Sequence, residues 1–171
     1  SWTIIRVGYT ATGATNSHPT RGGAGLECDK LSRKGIETQF MHVVDTVMKD
    51  LNDLPSQVMK YVHSDSWEVD AQNWTEDFAE EFYKRRGYDL LPYLVALASG
   101  RVVGSYAASE RFLRDFRRTI ADLIADNYQG HLAELCHGVG LQLQSEASGR
   151  LQYLYDAIGY FSKTDVPMGE F

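Results

Sequence analysis

Cysteine is scarce: only Cys28 and Cys136 occur in 171 residues, far apart and without ligand-like spacing, so neither a zinc motif nor a disulfide framework is present. Cys136 falls on an apolar helical face and reads as buried. No apolar run approaches the ~20 residues needed to span a bilayer, which excludes a membrane-crossing helix. An initiator Met and a charged-then-apolar export segment are also missing. The sequence opens inside an apolar run, Trp2 to Val7, and stops at Phe171 just after another. Both ends therefore read as cuts within a larger protein, and the missing leader says little about export. A basic surplus is lacking too. The net charge is -6 with a pI near 5.3, and a nucleic-acid partner wants a basic face. Arg85-Arg86 and Arg117-Arg118 sit inside predicted helices and read as solvated. Gly22-Gly23-Ala24-Gly25 belongs to no GxxxxGK[ST] or GxGxxG pattern, so the stretch reads as a flexible active-site loop rather than a phosphate cradle. There is no internal repeat and no low-complexity tract.

What is present suits a globular α/β protein, with 43% hydrophobic and 23% charged residues. Trp2 to Tyr9, rich in β-branched and aromatic residues, predicts a strand running into a long loop, Thr10 to Asp29. Apolar residues at Ile36, Phe40, Val43, Val44, Val47 and Leu51 predict an amphipathic helix over Leu31 to Leu51. Val58 to Asp65 is the second predicted strand. A helix follows with Thr75 as N-cap, Phe78 and Phe82 on its buried side and Gly87 as its stop. A short helix over Leu90 to Leu97 carries Pro92 in its first turn, and a long one runs from about Ser109 to His137. Leu141 to Glu146 alternates, with Leu141 and Leu143 toward helices and Gln142, Gln144 and Glu146 toward a lumen. A short helix, Tyr153 to Phe161, precedes a fourth strand, Asp165 to Met168. This alternation predicts a parallel sheet. We expect a partial (β/α)8 (TIM-like) barrel of about four β/α units, residues 1–171 forming part of one catalytic domain.

Chemically useful side chains fall where the predicted strands end: Asp65 and Glu68 after the second, Glu146 at the third, Glu170 after the fourth. Ligands bind at that edge in barrels and in open parallel sheets. Two carboxyl groups are what glycoside hydrolysis requires, one to protonate the departing oxygen and one to activate water or attack the sugar. A single glutamate there is more often a cap or ion-pair partner; three, flanked by Trp67, Trp74 and Tyr9, point to a sugar site. Trp67 reads as a sugar platform and Trp74 as packing. His63, within a strand, reads as a hydrogen-bonded core residue.

The run His63-Ser64-Asp65-Ser66-Trp67-Glu68-Val69, then Gln72-Asn73-Trp74-Thr75, Arg85-Arg86-Gly87-Tyr88-Asp89-Leu90-Leu91-Pro92-Tyr93-Leu94, Gly100-Arg101-Val102-Val103-Gly104, Ser145-Glu146 and Pro167-Met168-Gly169-Glu170-Phe171 resembles the α-L-rhamnosidases of glycoside hydrolase family 106 over nearly the whole chain. The resemblance implies an inverting α-L-rhamnosidase acting on a rhamnose-containing glycan or glycoside. It further implies a calcium ion near the sugar, β-rich domains on both sides of the barrel, and a periplasmic or extracellular bacterial protein. It makes Glu68 the general acid, with a helix-capping loop residue as the alternative. Glu170 is either the base or a residue holding sugar or calcium, and a base beyond Phe171 is also open. Glu146 would face the pocket, although Ala147-Ser148-Gly149 follows where relatives have a Pro-Tyr pair. Asp65 either touches substrate or orients Trp67. His18, near Arg21 in the glycine-rich loop, either reaches the sugar or is an idle surface residue. Another sugar specificity and a non-catalytic carbohydrate-binding barrel are the competing functions; a glutamate at position 68 favours an enzyme.

Overall fold

A computed structural model describes residues 2–52, 58–146 and 155–169. Helix α1, Arg33–Phe40, starts where the Ser32 hydroxyl accepts the Gly35 amide. Gly35 has no room for a side chain, because a Cβ there would lie 2.4 Å from the Asp29 carbonyl oxygen. The helix widens into a π-type segment, Met41–Asp45, and continues as α2, Thr46–Leu51. Ile36, Phe40 and Val44 are buried, as the periodicity predicts, but Val43 and Val47, expected on the same face, are 50% and 40% exposed, because the wide turn keeps every fourth residue inward. Strand β1 is Tyr61–Ser64, and helix α3, Phe78–Arg86, ends at Gly87 in the left-handed region (φ 80°). A 3-10 turn, Leu91–Tyr93, carries Pro92 and leads into α4, Leu94–Ser99. Helix α5, Tyr106–Leu123, is capped by Ser105 and passes through a second π-type segment, Ile124–Gly130, into α6, His131–Gly138. Strand β2, Gln142–Glu146, helix α7, Ala157–Phe161, and strand β3, Val166–Met168, complete the order.

The strands form one parallel sheet in the order β1-β2-β3, with Ser64 opposite Ser145 and Glu146 opposite Met168. Parallel neighbours need crossover connections, and the intervening helices supply them. One apolar cluster seals the sheet against α1 and α6, with Phe40, Val44, Cys136, Leu141 and Leu143 buried together. The expected burial of Cys136 and the inward turn of both leucines hold. A larger cluster joins Leu31, Phe78, Phe82, Leu90, Phe112, Phe116, Ile120 and Leu123. The second π-type segment does something a regular helix cannot. It sends three consecutive side chains into the molecule: Asn127 Nδ2 donates to the Leu31 carbonyl (2.8 Å), Tyr128 meets Ser64 (2.7 Å), and Gln129 accepts from Ser145 (3.3 Å). Among the described residues, no helix is long and apolar enough to cross a membrane.

Three expectations need correction. Trp2 to Tyr9 forms no strand, and Trp2 and Ile4 are 99% and 95% exposed. β-prone composition does not supply a hydrogen-bonding partner, and no ladder reaches this segment. Thr75 does not cap α3: its hydroxyl donates to Asp29 Oδ2 (2.7 Å), and the helix begins after a turn, at Phe78. Arg85 and Arg86 are not solvated dressing. Arg85 bonds Glu81 and Asp126, and Arg86 bonds Thr119 and Asp122, tying α3 to α5 and its π extension.

Two carboxylates, Asp126 in these ties and Asp165 just before β3, make the fold acid-sensitive. Burial pushes Asp126 up, but Arg85 and Lys163 outweigh it and hold the carboxyl below its usual range. For Asp165, burial is likewise outweighed by the Leu143 amide (2.7 Å) and His137 (2.9 Å). A depressed folded-state pKa gives stability that is present above the unfolded value of about 3.9 and is lost as pH falls through the folded value. The thermal midpoint should therefore hold steady above about pH 5 and drop below about pH 4. Asp165→Asn should reduce that drop, as measured by circular dichroism melts across the pH series.

Candidate active site at the strand ends

The parallel register decides which carboxyls meet. Ser64 pairs with Ser145, so the residues that follow, Asp65 and Glu146, come side by side at the C-terminal edge of β1 and β2. The Ser66 amide foremost, then the neighbouring Glu146, hold the Asp65 carboxyl below its ordinary range, with His63 adding to the effect from 3.7 Å despite a small desolvation cost. Asp65 is exposed and Glu146 is buried, so the edge carries one accessible and one sheltered carboxyl.

Glu68 lies three residues beyond Asp65, exposed, with Ser66 Oγ donating to its Oε1 (2.8 Å). Its other oxygen has no protein partner among the described residues. That leaves it accessible to a ligand. Glu170 lies outside the described residues; the strand that leads toward it, β3, is on the edge beside Glu146. His18 is exposed on the loop, with a left-handed backbone (φ 47°) and its Nδ1 against Ser17 Oγ (2.7 Å), and no contact joins it to the carboxyl pair. His63 is not a core residue. It is exposed beside Asp65 and lines a cavity of about 250 Å³ between α1 and β1.

Both tryptophans pack, where only Trp74 was expected to. Trp67 is 6% exposed and packed in the larger core, with the Lys30 ammonium 4.8 Å from its ring centroid and Tyr128 edge-on at 5.9 Å. Lys30 itself is buried and paired with Glu27. The reading of Trp67 as a sugar platform is therefore corrected, since its faces are spent on packing and a cation. Trp74 packs as expected, partly buried and stacked on Phe78 (4.9 Å), and it also faces Tyr9 (5.6 Å) in the wall of a cavity of about 510 Å³. Asp29, Gln72 and Thr75 hold this region together: Gln72 bonds the Cys28 carbonyl and the Lys30 amide, each at 2.8 Å. Nothing in the sequence marks Lys30 as a structural cation; Tyr9 was noticeable only as an aromatic beside a loop. Among the described residues, no group of three or more His, Cys, Asp or Glu side chains could hold a metal ion.

The chain as a whole is similar to known proteins. A protein of Formosa agariphila named "Putative beta-glucuronidase" is 43% identical over 145 residues, which is 85% of this chain and 12% of that protein. The structure of a rhamnosidase from Novosphingobium sp. PP1Y superposes with a TM-score of 0.80 at 33% identity, covering 90% of this chain and 15% of that one. The chain thus spans a small part of each relative. The family model described as alpha-L-rhamnosidase, glycoside hydrolase family 106, matches residues 1–171, and the chain belongs to that family.

Proposed function

We propose that this chain is part of the catalytic barrel of a glycoside hydrolase that removes terminal α-L-rhamnosyl units by an inverting mechanism. The observation that carries the proposal is the meeting of carboxyl groups at the C-terminal edge of a parallel sheet, in a chain of this family. The three strands are taken as one arc of a (β/α)8 barrel, closed by further β/α units outside residues 1–171, with β-rich domains flanking it. An arc lacks the rest of the site, so residues 1–171 alone are inactive.

In this reading Glu68 gives its proton to the departing oxygen, since it is exposed and keeps one oxygen free. A second carboxylate, with Glu170 as first candidate, takes a proton from the attacking water. Asp65 and Glu146 hold the sugar, their carboxyl oxygens accepting hydrogen bonds from its hydroxyl groups. Trp67 supports this edge from beneath rather than touching the sugar. His18 is kept as a loop residue that approaches the substrate when it is bound. An exported bacterial protein, periplasmic or extracellular, fits a substrate of plant polysaccharide or glycoside type.

A second reading has one specific support, the glucuronidase name of the Formosa relative, which points to a uronic acid in place of rhamnose. The complete enzyme should hydrolyse an aryl α-L-rhamnoside and leave an aryl β-glucuronide intact, and proton NMR should find the first-formed sugar with inverted configuration. The reverse preference would favour the second reading; retained configuration would replace the water-activating base by a nucleophile.

Calcium belongs to the proposal on the family likeness alone, because the described residues build no cage for it. No step is routed through it. A hard cation would take oxygen ligands, and Asp65 and Glu146 offer two carboxyls. Chelation of the complete enzyme is expected to raise KM, with the bound metal identified by elemental analysis; unchanged kinetics and no metal would remove the ion.

A further inference from the structure

The largest described cavity is enclosed by three stretches: residues 8–14, residues 26–29, and residues 72–76. Its 510 Å³ is ample for a sugar ring, within the usual range for small-molecule sites. Three carboxylate residues line it, Glu27, Asp29 and Glu76, and no Lys, Arg or His does. Two of these are already engaged, Glu27 by Lys30 and Asp29 by Thr75 and the Leu31 amide. Glu76 is exposed. The wall also carries Tyr9, 63% exposed, set against Trp74 at 5.6 Å with the rings inclined by 32°. Glu27 and Cys28 form a wall shared with the smaller cavity, which reaches His63 and Ser64 at the end of β1. The two spaces share that wall, and His63, which lines the second, lies 3.7 Å from Asp65.

We infer that this cavity is a subsite for the glycosyl unit next to the cleaved sugar, and that it selects a neutral unit over a uronic acid. The inference rests on the proposed removal of a terminal sugar, since every further unit then lies on the leaving-group side. Tyr9 offers the apolar face of a ring for the sugar to lie against. The acidic lining repels a uronate carboxylate, which finds no cation to pair with.

The test uses the complete enzyme and three probes: an aryl α-L-rhamnoside, a rhamnosyl-hexose and a rhamnosyl-hexuronic acid of the same linkage. Wild type should show a lower KM for the neutral disaccharide than for the acidic one. Tyr9→Ala should raise KM for the neutral disaccharide roughly three- to tenfold more than for the aryl rhamnoside, the usual worth of an aromatic contact. Glu76→Arg should lower KM for the acidic disaccharide. Equal losses on the aryl and disaccharide probes for Tyr9→Ala, or an equal or better KM for the uronic acid in wild type, would overturn the subsite. If the aryl rhamnoside is not cleaved at all, the proposed reaction fails on its own account. Titration calorimetry of the neutral and acidic disaccharides against wild type and Tyr9→Ala then decides the subsite: preference for the neutral sugar, weakened in the variant, supports it, and equal binding defeats it.

Discussion

Turnover of a natural rhamnoside by the complete enzyme should fall roughly 10²–10⁴-fold in Glu68→Gln, the usual worth of a positioned general acid. The substitution keeps the size of the side chain and its contact with Ser66, but an amide has no acidic proton to give. The loss should depend on the leaving group. An alkoxide is too basic to depart unaided, whereas an acidic phenol departs with little help, so an aryl rhamnoside with such a phenol should lose far less. Steady-state kinetics on a series of phenols of graded acidity gives the slope directly. The slope should steepen in the variant. Equal losses across the series would make Glu68 a binding or structural residue and move the proton donor elsewhere, with the sheltered carboxyl of Glu146 the first place to look.

The largest structural effect is expected at Phe82. Its side chain is fully buried between Tyr88 (5.1 Å, edge-on) and Phe112 (6.0 Å), where α3 meets α5. Phe82→Ala should cost about 3–5 kcal/mol, combining lost burial with a cavity that rigid aromatic neighbours cannot close. Domains are commonly stable by only about 5–15 kcal/mol, so the variant should unfold early in denaturant and accumulate poorly. Phe82→Leu, which keeps most of the volume, should recover the larger share. An unchanged midpoint for Phe82→Ala would mean that α3 is held by its arginine ties instead.

Periodicity is a local property, and what depends on it was legible in the sequence. The helix carrying Ile36, Phe40 and Val44, the long helix from α5 to α6, and the inward leucines of β2 all follow from spacing. The parallel α/β sheet followed from the alternation of strands and helices, and three parallel strands stand where three of the four were expected. Pairing is not local. Trp2 to Tyr9 has the composition of a strand, and composition cannot say whether a neighbour is there to bond it. The same limit applies to the carboxyl pair: that Asp65 meets Glu146 depends on the register between chain segments about eighty residues apart. Trp67 was misread for a related reason. It follows a strand in an irregular stretch, where no repeat reveals the inward face, so its covering by Lys30 left no trace. Glu68 and its motif were found through the resemblance, because a lone exposed glutamate carries no distinguishing pattern.

The wide turns at Met41–Asp45 and Ile124–Gly130 each take up an extra residue while the helix beyond keeps its phase. Deleting one residue from the second would allow regular α-helical pitch to return, and the helix after it would present nearly the same face to the sheet. Cys136 would stay inside, while the Tyr128 to Ser64 and Gln129 to Ser145 contacts, which belong to the wide turn itself, would lose their aim. Length in that segment is therefore tied to what those side chains do rather than to the packing beyond it, and two relatives could share the packed helix while only one of them carries the extra inward-facing residue.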